Sequence, residues 1–582
     1  MLQTLYTNPV RFFYTIKDQK LKQIFFRIWY EYHSPSLSGY LSDYQINYTN
    51  ISAFRNKPDI YNDELIFTFI GRQVTFFEKV DWFFQKEGLL WAFNLHYFDF
   101  VNSKTSNPYN FLSLIKDWIA NNSLRSQPGW AAYPTSLRIV NWIKFELNHR
   151  VFTSNELDSL FLQSRWLYHR IEYHIMGNHL LANAKALVFS GLFFSHDEAD
   201  KWLKKGLHIL NEELEEQIND DGCHFELSPM YQSIIVEDLI DLLVMFSAYD
   251  FTHGIGSNTD KKPTDCQNVN LTTRNRLALG ALIEKINCLI PKMMNFLENM
   301  THPDGELSFF NDAAIGIAPT HQQLIDYLSR NSGVLSRESK FAIQNNIESK
   351  KSRVITQSLG SSGFLKLNKG PFTLITNVAP ITPPYSASHS HADTLSFELS
   401  YKKQRVLVNS GTSTYNIGEL REFQRSTRAH NTVEIDDVNS SDVWMSFRVG
   451  QKARILHHSL IENDQEIHVS GSHSGYKTWN GGVIHKREWT LQRNRMICKD
   501  TLEGHYTTAN LYFYFHPDIT LESNNILATP NGERFEWKTS ESNLCWNDSF
   551  WYPRFSESRK NLCLQISHNA CLLYTSPSPR DS

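Results

Sequence analysis

Four short islands carry the residue types that can move protons or hold an anion. They are Gly177-Asn178-His179; Glu226-Leu227-Ser228-Pro229-Met230-Tyr231; Ser388-His389-Ser390-His391-Ala392-Asp393; and Arg428-Ala429-His430-Asn431-Thr432. Asn178 and His179 open an expected helix. Asn178 is there either as a cap, or with His179 as a donor to an anion above the helix N-terminus. Tyr231 follows Ser228-Pro229, an N-cap and N1 pair. Its ring falls in the first turn, where the positive end of the dipole favours phenolate. An ordinary tyrosine, with a pKa of about 10, is a poor base at neutral pH, and plain packing is the alternative.

His389 and His391 are two apart, so in an extended segment both rings point to one side. They can share a metal, divide into one catalytic and one metal-bound imidazole, or sit on a polar loop by chance. Arg421, Arg425 and Arg428 precede His430. They form either a solvated basic face or the rim of an anion-binding cleft, where guanidinium forks suit carboxylate or sulfate.

These residues have to be positioned by two kinds of structure. Between about 110 and 346 apolar residues recur at three and four, and helices are expected over 111–120, 134–149, 179–194, 197–218, 231–249 and 274–300. Such a series buries its stripes helix against helix, as a toroid or array; no fixed-period repeat marks a regular solenoid. After about 352 the period shortens. Strands are expected over 363–367, 372–376, 395–401, 405–408, 432–435, 467–470, 483–492 and 511–515, which implies an antiparallel sandwich. The charged stretch 348–353 is the expected boundary, and 66–77 reads as a small hairpin. Two islands lie in each half, so a cleft between the halves would unite them.

The 582 residues exceed one typical core. A net charge of −4 excludes the basic footprint of a nucleic-acid binder. Fourteen Trp and 25 Tyr suit a sugar-stacking cleft and a large core equally. The seven cysteines, Cys223, Cys266, Cys288, Cys498, Cys545, Cys563 and Cys571, contain no CxxC pair, and an odd number fits no disulfide framework. No run is apolar enough to cross a membrane, and the N-terminus lacks the apolar core of a secretory signal. Instead Leu21, Ile24, Phe25 and Ile28 show helical spacing among Lys17, Lys20, Lys22 and Arg27. That helix is expected to dock on the rest of the protein, the alternative being a membrane surface. Residues 574–582, YTSPSPRDS, are set aside as a disordered or foreign tail on an incomplete final domain.

Taken in series, GNHLLANAKAL (177–187), DGCHFELSPMYQ (221–232), PDGELSFFNDAA (303–314), HSHADTLSFEL (389–399), VNSGTSTY (408–415) and FQRSTRAHNTVEID (423–436) resemble the heparinase II/III family of polysaccharide lyases. The resemblance covers about 110–450 well and the chain to about 570 more loosely. It implies an incomplete (α/α) toroid followed by an antiparallel β-sandwich, an α+β multidomain chain. The expected parts are an N-terminal region 1–100, a toroid 101–346, a sandwich 352–570 and a tail 571–582.

The implied chemistry is β-elimination on an acidic, uronate-containing polysaccharide. A base takes the C5 proton, the C4 oxygen leaves, and an unsaturated uronide remains. The resemblance assigns Asn178 and His179 to the uronate carboxylate, Tyr231 to base or acid, His389 to partner base, and Tyr415 to the cleft. Arg138, Glu226, Arg425 and Arg428 are expected to bind substrate. It also implies a divalent metal, zinc before calcium, on His391 and His430. Asn409 stands where the third ligand is usually Asp, and Asp393 is a substitute. No organic cofactor is implied. The family is usually sent to the cell envelope or periplasm; with no signal visible, the cytoplasm is the alternative. A uronyl C5-epimerase and a non-catalytic glycan-binding protein are the rival readings. The glycan, endo or exo action and the oligomeric state are not legible.

Overall fold

A computed structural model describes residues 9–569 apart from 36, 38–42, 52–53, 63, 105–106, 251–266, 269–271, 350–359 and 478–481. Cys266, Cys571, the 574–582 tail and part of the expected 348–353 boundary lie outside those residues.

The helical half comprises Leu89–Tyr97, Pro108–Asn121, Ala132–His149, Ser154–His169, Gly177–Phe193, Asp197–Gln217, Pro229–Ser247, Thr273–Asn299, His321–Arg330 and Arg337–Ser349. Local chemistry sets their starts. Asn107 and Ser228 cap helices that carry Pro in the first turn, and Thr153 with Glu156 closes a capping box. Gly177–Phe193 is buried at every position except His179. It packs against Ala132–His149, Asp197–Gln217 and Pro229–Ser247. The approach of Asp197–Gln217 depends on Gly206, where a Cβ would come within 2.8 Å of the Ala184 carbonyl. None of the helices among the described residues is long and apolar enough to cross a membrane.

The second half is antiparallel. Phe364–Lys369, Phe372–Asn377, Phe397–Tyr401 and Gln404–Leu407 form one sheet in chain order; Ile455–Glu462, Glu466–Tyr476, Val483–Gln492 and Met496–Glu503 form another. Leu365, Leu367, Leu374 and Phe397 of the first share a core with Ile467, Val469, Trp489 and Leu491 of the second. A third sheet, ordered Val433–Ile435, Thr508–Tyr514, Arg559–Asn569 and Leu544–Trp551, adds Leu564 and Ile566 to that core. A hairpin of Ile66–Phe69 and Arg72–Thr75 precedes the helices, with Tyr61–Asn62 as its third strand.

The halves are locked together. His302, from the loop after Thr273–Asn299, contacts Ser400 Oγ at 2.7 Å and Glu398 at 2.8 Å, and Arg405 forks onto Asp304. Leu227, Phe310, Phe364 and Ile375 bury one apolar patch across the seam.

Pro9–Ile16 and Leu21–Tyr32 form an N-terminal arm. The expectation that Leu21, Ile24, Phe25 and Ile28 dock is corrected: all four face outward, Leu21 at 85% and Ile28 at 57% exposure. The other face docks because it carries the matching partners. Phe26 meets Tyr173 with ring centroids 4.7 Å apart, and the Tyr30 hydroxyl donates to the Ile171 carbonyl at 2.7 Å.

Candidate active site in the seam between the domains

A cavity of about 850 Å³ opens along the seam. Asn178, His179, Glu226 and Tyr231 reach it from the helical half; His389 and Tyr415 reach it from the sandwich. Its aromatic walls are Tyr and Phe, among them Tyr97, Tyr133, Tyr385 and Phe447. The large tryptophans Trp91, Trp118, Trp142, Trp202 and Trp489 are fully buried in the cores. Tyr and Phe fill the cores as well as lining the cavity.

Asn178 is not the helix cap. Met176 holds that position, at φ +67°, and Gly177 follows at φ +58°. A side chain at Gly177 would collide with Glu226 Oε1, 2.3 Å from an added Cβ. The Glu226 carboxylate itself sits on the helix N-terminus and accepts the Asn178 N–H at 3.2 Å, the favoured place for an anion. The Asn178 side chain lines the cavity and bonds to no described residue. His179 Nδ1 lies 3.2 Å from Glu172 Oε1, and its ring leans on Tyr133 at 4.4 Å. Burial opposes charge on His179, but the Glu172 carboxylate outweighs it and raises the imidazole above its ordinary pKa.

Tyr231 sits in the first turn after Ser228, as its sequence implies. Its hydroxyl is 3.3 Å from that of Tyr415, and its ring centroid is 4.1 Å from that of His389. The expected drift toward phenolate is corrected. Burial, with Tyr415 beside it, pushes the phenol well above 10 and overrides the helix dipole. Tyr231 is therefore a neutral phenol.

The residue that organises the sandwich side is Asp312, which was not singled out from the sequence. It is fully buried on the loop after Asn311, whose backbone turns at φ +55°. Its Oδ2 meets His389 Nδ1 at 2.9 Å and its Oδ1 meets His391 Nε2 at 2.9 Å, while Arg421 forks onto both oxygens. Burial opposes the carboxylate's charge, yet Arg421 and the two histidines hold its pKa well below the usual range. An ionised carboxylate only accepts, so His389 Nδ1 carries a proton and donates it to Asp312. The only sequence signal was an Asp inside the quoted string SFFNDAA.

Three expected substrate contacts lie elsewhere. Arg138 is buried inside the helical half, donating to Gln163 Oε1 and the Gly129 carbonyl at 2.8 Å and stacking on Trp118. Arg425 is buried against the carbonyls of Ser390, Trp444, Met445 and Arg448. Arg428 lies over the Phe423 ring on the surface. None of the three lines the cavity. Each served a backbone or packing need that a basic residue meets as well as an anion site does.

His391 and His430 do come together, Nδ1 to Nε2 at 3.1 Å. His391 Nε2 is committed to Asp312, and His430 Nδ1 donates to the Ser426 carbonyl at 2.8 Å. Burial lowers His391 to about 4 and His430 to about 3, so both rings are neutral and two lone pairs face each other. That half of the site fits a cation. The other half does not fit a tightly held zinc. Asn409 Oδ1 accepts the Asn431 N–H at 3.1 Å, and its Nδ2 has no partner. Asp393 accepts from the Asn311 N–H, and burial raises it to about 7. Among the described residues no three or more His, Cys, Asp or Glu side chains are arranged so as to hold a metal ion. Zinc sites use three or four His, thiolate or carboxylate ligands, and no step below runs through a metal.

Residues 84–275 match the heparinase II/III N-terminus, and residues 355–569 match the heparinase II/III-like C-terminal domain. A heparin-sulfate lyase of Bacteroides stercoris is 25% identical over 268 residues, 45% of this chain and 36% of that protein. One from Bacteroides thetaiotaomicron is 25% identical over 367 residues, 57% of this chain and 48% of that protein. The chain thus spans less than half the length of these curated relatives. Among solved structures, heparinase III superposes with a TM-score of 0.64 at 18% identity, covering 84% of this chain and 77% of that one. A heparan sulfate lyase of Pedobacter heparinus gives 0.53 at 16% identity, over 87% and 79%. With both domain types matched in order and the fold shared, the chain belongs to the heparinase II/III family.

Proposed function

We propose that this protein is a polysaccharide lyase cleaving a uronate-containing glycan, of the glycosaminoglycan class, by β-elimination. The observation that carries the reading is the Asp312–His389–Tyr231–Tyr415 array, assembled across the seam opposite Asn178 and His179 in one cavity. The names of the relatives, heparin-sulfate lyases, support the glycosaminoglycan class.

The uronate carboxylate lies against the Asn178 amide and the His179 imidazolium. Charge grows there as the C5 proton leaves, and donors fixed in advance stabilise it best in the transition state. His389 Nε2 takes the C5 proton, with Asp312 orienting the ring and stabilising its charged form. The C5–H pair becomes the C4–C5 double bond, and the C4–O pair departs on the leaving oxygen. The Tyr231 hydroxyl protonates that oxygen, a role that a phenol held neutral performs well. The adjacent His389 and Tyr231 rings then allow the proton on His389 to restore Tyr231.

The test is to incubate the full chain with a panel of uronate polysaccharides and follow the ultraviolet absorbance of the unsaturated uronide. Growth of that absorbance with chain shortening supports the reading. Shortening without it means hydrolysis and overturns the reading.

A further inference from the structure

The N-terminal arm, residues 9–32, precedes both family-matched segments and crosses the seam. Arg11 forks onto Asp442 of the sandwich at 2.7 and 3.0 Å, Lys452 reaches Asp18 at 2.8 Å, and Trp444 donates to Thr15 Oγ1 at 3.2 Å. On the helical side Lys20 pairs with Glu216, and Tyr30 bonds the Ile171 carbonyl. The arm is thus fastened to both walls of the cavity.

Its orientation is the reverse of what apolar burial alone would select. Leu21, Phe25 and Ile28 face solvent while Gln23 is 3% exposed. An amphipathic helix docking for hydrophobic gain buries its apolar stripe. Instead Gln23 and Arg27 of this helix line the cavity, together with Gln19 from the turn before it and Thr15 from Pro9–Ile16, and Arg27 also donates to the His174 carbonyl at 3.4 Å. Arg448 faces them from the sandwich and lines the same cavity. Its guanidinium lies over the Trp444 ring at 5.2 Å, and among the described residues it makes no ion pair. The two guanidiniums are near enough that Arg448 opposes the charge on Arg27. Gln19 has no side-chain hydrogen bond among the described residues. The carboxylates of this corner, Asp18, Asp442 and Glu216, are each engaged by Lys452, Arg11 and Lys20.

We propose that the arm completes the cleft as an anion subsite, in which Gln19 and Arg27 of the arm and Arg448 of the sandwich hold the anionic substituent of the sugar next to the unit held at Asn178 and His179. This rests on the lyase reading and adds where a second charged unit is held. Paired guanidiniums and an amide suit the oxygens of a carboxylate or a sulfate.

The experiment uses the full chain carrying Tyr231→Phe, titrated calorimetrically at low salt with size-fractionated heparan sulfate di- and tetrasaccharides. The tetrasaccharide is expected to bind about tenfold tighter, the worth of one charge-assisted contact. Arg27→Gln and Arg448→Gln, which lie on different elements, should each reduce that advantage to about twofold or less, with melting temperatures unchanged. Lys499→Gln, on the outer face of the sandwich, should preserve it. A chemically desulfated tetrasaccharide assigns the contact: an unchanged advantage points to the carboxylate, a lost one to sulfate. If both arginine variants keep the tenfold advantage, the subsite is overturned while the lyase reading stands on wild-type turnover. If neither oligosaccharide binds and the wild type makes no unsaturated product, the lyase reading falls and takes the subsite with it.

Discussion

Asp312 Oδ2 holds His389 Nδ1 at 2.9 Å, so the proposed mechanism assigns the base role to Nε2. The two residues are 77 positions apart and belong to different domains. The ring that faces the cavity is oriented by a side chain that never reaches it.

Tyr231→Phe removes only a hydroxyl from a ring that stays packed on His389. Turnover on the acidic glycan is expected to fall by about 10²–10⁴, the usual worth of a positioned proton transfer. The melting temperature should not move, because the lost contact is a long 3.3 Å bond to Tyr415. Activity within about threefold of wild type excludes the assigned role, given that range.

Asn178→Ala should lower kcat more than it weakens binding, since the charge facing its amide grows in the transition state. Met176, not Asn178, caps the helix, so the loss of about 1 kcal/mol that follows removal of a capping side chain should be absent. Kinetics and thermal melts on one preparation separate the two effects. A stability loss with unchanged kinetics would overturn the assignment.

The His179–Glu172 pair predicts an alkaline limb. Glu172 raises the His179 pKa above its unfolded value of about 6.5. The stability gained is therefore complete below about pH 6.5 and is lost as pH rises through the higher folded value. Activity that uses the imidazolium should fall over the same window. Glu172→Gln leaves burial opposed by Glu226 alone, so the limb in kcat/KM should move to lower pH. An identical limb in both proteins would show that His179 does not set it.

Arg425→Gln should destabilise the protein by about 3–5 kcal/mol rather than raise KM, because a buried cation and its four carbonyl partners lose their contacts together. Arg428→Gln, on an exposed side chain, should change stability by no more than about 0.5 kcal/mol. Denaturant melts read both. Equal, small effects would place Arg425 outside the packing role described.

Asn409→Asp restores the carboxylate that the family pattern expects as third ligand with His391 and His430. Metal analysis should find well under one zinc per wild-type chain and a clear rise in the variant. Stoichiometric zinc in the wild type would contradict the fit argued from Asn409 and its orphaned Nδ2.

Much of this architecture could be read from periodicity. The helices at Ala132–His149, Asp197–Gln217 and Thr273–Asn299 announce themselves by spacing, and Val483–Gln492 alternates residue by residue. Ile455–Glu462 and Met496–Glu503 were missed because, as edge strands of their sheet, they carry His, Lys and Glu on half-exposed faces. Tyr231, His389, Asn178 and Tyr415 were legible through the family strings, and the structure gathers them in one cavity. Asp312 was not, because what marks it is its partners at His389, His391 and Arg421, none of them local in sequence. Arg138 and Arg425 misled for the opposite reason. A basic residue near a polar island looks the same whether it faces a ligand or a set of carbonyls.

The placement of Asp312 has a consequence for how this protein can be divided. Its folding halves can be separated on paper at residues 350–359, but its chemistry cannot. The sandwich expressed alone would keep His389 and His391 while leaving Arg421 in a pocket without its counterion. The helical half alone would leave Asp312 at an open seam, without the His389, His391 and Arg421 contacts that now surround it. Each fragment inherits one partner of the pair, so an exchanged half must meet the matching Asp or Arg in the half it joins.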